Sequence, residues 1–133
     1  MSGIIGLISV SAATVGAGPV TSAHLQLAGS ISPQTIYTPT SGFRVRLVAW
    51  EFTLGSNAGN LEGELYFGTG ATIAANPTKA VAHMALEIAN QSMNTPQSYP
   101  DGAGPIGAVD DVVSCRVDAT GDNARVVIHF REE

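Results

Sequence analysis

The fold is decided by residues 113–131, which read VSCRVDATGDNARVVIHFR. On each side of the central DATGDN, apolar and polar residues alternate, first around Cys115 and then from Ala124 to Arg131. Successive side chains of a β-strand point to opposite faces, so each half predicts a strand with one face in a core. The Asp, Gly and Asn residues between the halves favour a turn, and together the two strands predict a β-hairpin.

A further long strand is predicted over residues 43–54. Its apolar residues change parity midway, from Phe43, Val45 and Leu47 to Val48, Trp50, Phe52 and Leu54. Such a change of phase predicts either a β-bulge near residues 47–49 or a strand that is buried on both faces. The stretch GSNAG at 55–59 then predicts a turn into another strand over residues 61–67.

The remaining segments are less regular. KAVAHMALEIA at 79–89 fits a short helix or a strand, and a strand is preferred because its neighbours are strands. Residues 90–109 are dense in Asn, Gln, Pro and Gly, which predicts a long loop that serves function or binds a partner. Short strands, frequent turn signals and no strong helix predict an all-β fold, a jelly-roll-like β-sandwich domain over residues 31–133.

Residues 1–30 carry no charged side chain and consist mainly of Gly, Ser, Ala and Thr with scattered aliphatic residues. Two interpretations are open: an extended N-terminal arm that orders on a partner, or a first strand of the sandwich around residues 21–27. No Lys or Arg precedes Arg44, so the basic region of a signal peptide is missing and synthesis in the cytoplasm is expected.

Composition excludes several classes of partner. Charged residues make up 13% of the chain, against roughly 25% in typical soluble proteins, so much of the surface is predicted to be neutral and part of it to be covered by partners. The net charge of −5 opposes the phosphate neutralisation that nucleic-acid binding needs, which argues against direct contact with DNA or RNA. No apolar run approaches the roughly 20 residues that span a bilayer, so no membrane contact is expected.

The residues that could carry chemistry do not form a recognisable motif. The histidines are far apart and are expected to be structural or exposed, and Cys115 lies on the apolar parity of its strand and is predicted to be buried. The segment 118–123 resembles a calcium loop only in its oxygen ligands and glycine, and a turn uses the same residues. Trp50 is expected in the core, while scattered tyrosines leave sugar stacking open. We therefore predict that the chain is not an enzyme. We also predict that none of the following candidates is a catalytic, cofactor-binding or metal-binding residue: His24, His83, His129, Cys115, Asp101, Asp110, Asp111, Asp118, Asp122, Trp50, Tyr37, Tyr66 and Tyr99.

From Ser32 to Glu133 the chain resembles the small β-sandwich proteins of tailed-bacteriophage virions, especially capsid decoration (cement) and head-fibre proteins. The resemblance is carried by three stretches: IYTPTSGFRVRL at 36–47, LYFGTG at 65–70 and VVIHFRE at 126–132. It implies a virion structural protein without shared catalytic residues or cofactors, located on the capsid surface. It also implies a homo-oligomer, a trimer, that bridges neighbouring major capsid subunits and uses residues 1–30 as an arm.

Two other hypotheses remain open. The long segment 90–109 is also compatible with a receptor-binding or carbohydrate-binding β-sandwich module of a virion. A small cupin-like enzyme would share the double-sheet architecture, although the spacing of the histidines argues against a metal site of that kind.

Overall fold

Eight β-strands and no helix make up the described part of the chain, which in this computed structural model is residues 18–28, 32–56, 61–70, 78–87, 91–118 and 123–133. The strands are β1 (Thr21–Ala28), β2 (Gln34–Tyr37), β3 (Val45–Ser56), β4 (Leu61–Phe67), β5 (Lys79–Leu86), β6 (Gln91–Ser98), β7 (Val113–Val117) and β8 (Asn123–Glu132). Within these ranges no helix is long and apolar enough to cross a membrane.

The strands form two four-stranded antiparallel sheets with the orders β1-β8-β3-β6 and β2-β7-β4-β5. The sheets stack with β1 beside β2, β3 beside β4 and β5 beside β6. Consecutive strands repeatedly cross between the sheets, and this strand order is that of a jelly roll. The predicted all-β sandwich is confirmed.

The core lies between the sheets and is filled by the side chains on the apolar face of each strand. Burial of one large side chain such as Phe52 stabilises the fold by about 1.5–3 kcal/mol. The fully buried members come from both sheets and include Leu27, Val45, Leu47, Phe52, Leu54, Leu61, Leu65, Phe67, Val113, Cys115, Val117, Val126 and Ile128.

The change of phase in β3 is a β-bulge, as one of the two interpretations predicted. Against β8 the register shifts between Leu47 and Ala49, so the extra residue Val48 reverses the parity of the later residues in the strand. Both Leu47 before the shift and Phe52 after it are therefore buried. Phe43 departs from the prediction because it precedes β3, beyond the end of the core, and is 40% exposed.

The predicted hairpin over residues 113–131 is wrong. β7 pairs with β2 and β4, whereas β8 pairs with β1 and β3 in the other sheet. Alternation reports which face of a strand is buried and does not identify its neighbours. Because β7 and β8 cover the same core from opposite sides, they show the same pattern that two hairpin strands would show.

Two segments of uncertain structure are strands. The preference for a strand in residues 79–89 is confirmed by β5, but the predicted loop over residues 90–109 is wrong because β6 occupies its first half. β6 is an edge strand that presents only half-buried residues such as Met93 and Thr95 to the sandwich, so it lacks a clear apolar alternation. A loop does follow it, over residues 99–112.

At the N-terminus, β1 is a strand of the sandwich, which therefore begins before residue 31. This agrees with the first-strand interpretation of residues 21–27. The arm predicted for the preceding residues, 1–17, lies outside the described residues.

Candidate functional site

The histidines and carboxylates named from the sequence are dispersed over the molecule. His24, His83 and His129 are exposed on three different strands. Across the described ranges, no three His, Cys, Asp or Glu side chains come together to hold a metal ion. Asp118 accepts a hydrogen bond from the backbone N–H of Glu62 at 2.7 Å, which ties β7 to β4. Asp122 lies outside the described residues.

Cys115 is fully buried in β7, as predicted. Burial raises the pKa of its thiol to about 12. A thiolate is the nucleophilic and metal-binding form of cysteine, and it is disfavoured in this apolar environment. The residue thus acts as a small hydrophobic member of the core.

The aromatic side chains serve mainly to pack the sandwich. Trp50 is buried, as predicted, and its indole N–H donates to the hydroxyl of Tyr99 at 3.0 Å. Tyr66 is fully buried, and burial together with nearby Glu64 raises the pKa of its phenol. Tyr37 packs against Phe130, with ring centroids 4.2 Å apart. Trp50 and Tyr66 are thus not available as stacking platforms for a sugar.

A polar cluster that the sequence did not predict lies on the outer face of the second sheet. Its residues have the parity expected to face solvent, yet Glu64 and Arg116 retain side-chain exposures of only 5% and 16%. Arg116 Nη1 donates to Glu64 Oε1 at 2.9 Å. Beside them, the hydroxyls of Tyr66 and Ser114 each donate at 2.7 Å to the carbonyls of Gly70 and Gly68 respectively.

The turn at 68–70 is therefore held in place by side chains of β4 and β7. Alternation alone could not reveal this cluster. The sequence does place opposite charges, Glu64 and Arg116, on the outward faces of two predicted strands, but only the structure shows that these strands are neighbours.

One end of the sandwich carries all three of the large hydrophobic side chains that are exposed in the described residues. Val20, Phe43 and Val109 are 48%, 40% and 54% exposed. Val20 directly precedes β1, and Phe43 precedes β3. Both strands run antiparallel to β8 and begin where β8 ends. The N–H of Asp110 donates to the carbonyl of Phe43 at 2.9 Å, which brings Val109 to the same place. We call this region the end surface.

Two arginines near the end surface are paired with other groups of the same chain. Arg46 forms an ion pair with Glu133 and also donates to the carbonyl of Gly104 at 3.1 Å. Arg131 Nε donates to Asp101 Oδ1 at 3.0 Å, and its Nη1 donates to the carbonyl of Gly18 at 2.7 Å. Ion pairs near the surface contribute little to stability, and these two place polar groups at the same end of the sandwich as the three apolar side chains.

Glu132 fastens the end of β8 to the segment that links β2 to β3. Its Oε1 accepts from the backbone N–H of Thr40 at 2.6 Å and from the hydroxyl of Tyr37 at 2.9 Å, and its Oε2 accepts from the hydroxyl of Thr40 at 2.9 Å. The bond from the Thr40 backbone is the main cause that lowers the pKa of Glu132. Burial and the bond to Glu132 raise the pKa of Tyr37.

The adjacent carboxylates Asp110 and Asp111 shape the loop that presents Val109. Asp110 adopts a left-handed backbone conformation, with φ of 65°, and its Oδ1 accepts from the backbone N–H of Gly42 at 2.6 Å. Asp111 accepts from the backbone N–H of Ala108 at 3.0 Å and from the hydroxyl of Thr78 at 3.2 Å. Both carboxylates are therefore engaged in holding the end surface in shape.

No protein-family model matches the chain, and no curated protein matches its sequence. Among solved structures the chain is similar to "Structure of Eiger TNF from S. frugiperda", with 12% identity, coverage of 86% of this chain and 93% of that chain, and a TM-score of 0.49. It is also similar to "Bacillus endospore appendages form a novel family of disulfide-linked pili", with 10% identity, 86% and 88% coverage and a TM-score of 0.43. A third is "Cyanophage Pam1 capsid asymmetric unit", with 14% identity, 86% coverage of both chains and a TM-score of 0.39. Similarities this distant assign no role to the chain.

Proposed function

We propose that this chain is a virion structural protein, a capsid decoration (cement) protein that binds the outer surface of the major capsid shell and stabilises it. The observation that carries the proposal is the clustering of Val20, Phe43 and Val109 at one end of the sandwich. Exposed apolar residues scattered singly are ordinary, whereas a group inside a polar rim is typical of a protein interface.

The end surface suits a contact with another protein for a second reason. Two of its arginines, Arg46 and Arg131, are already paired with carboxylates and backbone carbonyls of the same chain. A charge that keeps its partner when water leaves loses less solvation than an unpaired charge. Arg46 and Arg131 can therefore be covered by a partner without becoming isolated charges at the interface.

In this proposal the chain assembles as a trimer and carries out no catalysis. Each copy contributes an ordinary interface, and the many copies on one shell add their contributions against the pressure of packaged DNA. The low content of charged residues and the resemblance of residues 32–133 to decoration proteins support this role.

The first test is genetic and biochemical. In the genome that encodes this chain, we expect its gene beside genes for a major capsid protein, protease or portal. That capsid protein would be expressed and its shells expanded. Binding of the purified chain would then be measured by cosedimentation across a range of concentrations.

Variants then locate the contact. We expect Val109→Ser to weaken cosedimentation about tenfold, which corresponds to about 1.4 kcal/mol of binding free energy. The matched control is Val127→Ser, because Val127 lies on the outer face of the first sheet, away from the end surface. Failure of the wild-type chain to sediment with shells would refute the proposal, and equal losses for the two variants would refute the assignment of the end surface.

A further inference from the structure

The four edge strands of the sandwich differ in how well they resist pairing with another chain. An edge strand has a row of backbone N–H and C=O groups without partners, and proteins usually block it with a short strand, a bulge or a proline. β2 has four residues and a register shift around Ile36, and β5 has a shift that leaves Val81 as an extra residue. β6 contains Pro96.

The hydrogen-bond pattern shows that Pro96 stands where it blocks the free edge of β6. The N–H of Tyr99 donates to the carbonyl of Val48, so the odd-numbered residues of β6 bond to β3 and its even-numbered residues face outward. An N–H at position 96 would therefore point to the edge, and proline removes that donor without disturbing the pairing with β3.

β1 has none of these protective features. It pairs with β8 over eight consecutive residues without a register shift, and its sequence TSAHLQLA contains no proline and no Asp, Glu, Lys or Arg. Among the described strands β1 pairs with β8 alone. Thr21, Ser22, His24 and Gln26 are exposed.

The same reasoning identifies which groups of β1 face the edge. Arg44 and Glu133 exchange two backbone hydrogen bonds, so the odd-numbered residues of β8 bond to β3 and its even-numbered residues bond to β1. The bond from the N–H of Gly18 to the carbonyl of Glu132 agrees with this. In β1 the partners of those even-numbered residues are odd-numbered. The N–H and C=O groups of Ser22, His24 and Gln26 consequently point away from the sheet.

We propose that β1 pairs antiparallel with β1 of a second copy, joining the two four-stranded sheets into one continuous sheet across a two-fold axis at His24. The strand is self-complementary about that residue. Ser22 lies opposite Gln26 of the second copy on the outer face, and Ala23 lies opposite Leu25 of the second copy on the core-facing side. The three edge-facing residues of each strand then form about six interstrand hydrogen bonds, since each bonded pair exchanges two.

The uncharged composition of β1 favours a second copy as the occupant. In an antiparallel pair of identical strands, a charged residue on or near the axis would meet its own copy, and like charges opposite each other are destabilising. Ala23 and Leu25 are only half-buried beside the core, and pairing would cover them further. The contact is compatible with the proposed trimer, because two-fold contacts between trimers occur in closed assemblies. It does not depend on binding to a shell.

Solution mass and two proline variants test the inference. We expect the mass of the wild-type assembly to double as its concentration rises, whether the smallest unit is a single chain or the proposed trimer, because a two-strand contact is small and reversible. His24→Pro should halve the mass, since it removes an edge-facing N–H that β8 does not use. Ser92→Pro on the edge of β6 is the matched control and should leave the mass unchanged. A mass that does not rise with concentration, or one that His24→Pro leaves unchanged, would overturn the proposal.

A cysteine variant keeps the test decisive if His24→Pro does not fold. Facing Cα atoms in a hydrogen-bonded antiparallel pair lie about 5.5 Å apart, which is within the range that a disulfide spans. His24→Cys should therefore form a covalent dimer on mild oxidation, whereas Ser92→Cys should not, and Cys115 is buried and should not react. If both variants cross-link equally, or neither does, β1 is not the contact. None of these outcomes affects the test of shell binding.

Discussion

Gly104→Ala tests how closely the loop after β6 is packed. A Cβ atom at position 104 would lie 1.8 Å from the carbonyl oxygen of Leu47 and 2.9 Å from its carbonyl carbon. Both are backbone atoms of β3, so no side-chain rotation relieves the clash. The loop must move away from the strand by more than an ångström.

That movement breaks identifiable hydrogen bonds. The N–H of Leu47 donates to the carbonyl of Pro105 at 2.9 Å, and Arg46 donates to the carbonyl of Gly104 at 3.1 Å. Each lost bond at a partly buried site costs about 1–2 kcal/mol. We therefore expect Gly104→Ala to lower the free energy of unfolding by about 2–4 kcal/mol. For a chain of this size the midpoint Tm should fall by about 6–20 °C.

The control is Gly102→Ala, and circular dichroism during thermal and urea unfolding is the assay. Gly102 has φ of 80°, but a Cβ there meets nothing within 4 Å. Gly102→Ala should cost about 1–2 kcal/mol, because alanine disfavours the left-handed conformation. The reduced flexibility of the unfolded chain partly offsets this cost. If Gly104→Ala unfolds at the same temperature as Gly102→Ala or above it, the loop is not packed against Leu47 as described.

Two further predictions concern titratable groups. With its pKa near 12, the thiol of native Cys115 should not react with a thiol reagent at pH 8 and should react fully in denaturant; rapid native labelling would contradict its burial. Because its pKa is lowered in the folded state, the Glu132 carboxylate stabilises the fold at pH values above its ordinary pKa of 4.5. This contribution to stability is lost as the pH falls through the folded-state pKa. The stability difference between wild type and Glu132→Gln should accordingly shrink on acidification, and a difference that stays constant with pH would show that ionisation of Glu132 is not the cause.

The elements that could be predicted from the sequence are those whose burial follows a simple period. The strands around Leu65, Cys115 and Ile128 and the buried position of Trp50 were expected from the pattern of apolar residues. The bulge after Leu47 was one of two interpretations that the change of phase left open. β6 was missed, because an edge strand with little contact to the core needs no apolar face. The end surface was also missed, because its three residues are far apart in the chain and reach one end of the sandwich only through the strand order and the loop that carries Val109.

The sequence by itself determined that this protein is an all-β sandwich, since a two-residue period of apolar side chains can be satisfied only by burying one face of each strand. Only the tertiary structure decided which strands are neighbours, and it placed β7 and β8 in opposite sheets instead of in one hairpin. The physical reason is that alternation records how far each side chain is removed from water, whereas strand order depends on backbone hydrogen bonds, which any residue except proline can form. For the same reason the position of β1 at a sheet edge, with β8 as its one partner among the described strands, became visible only in the tertiary structure.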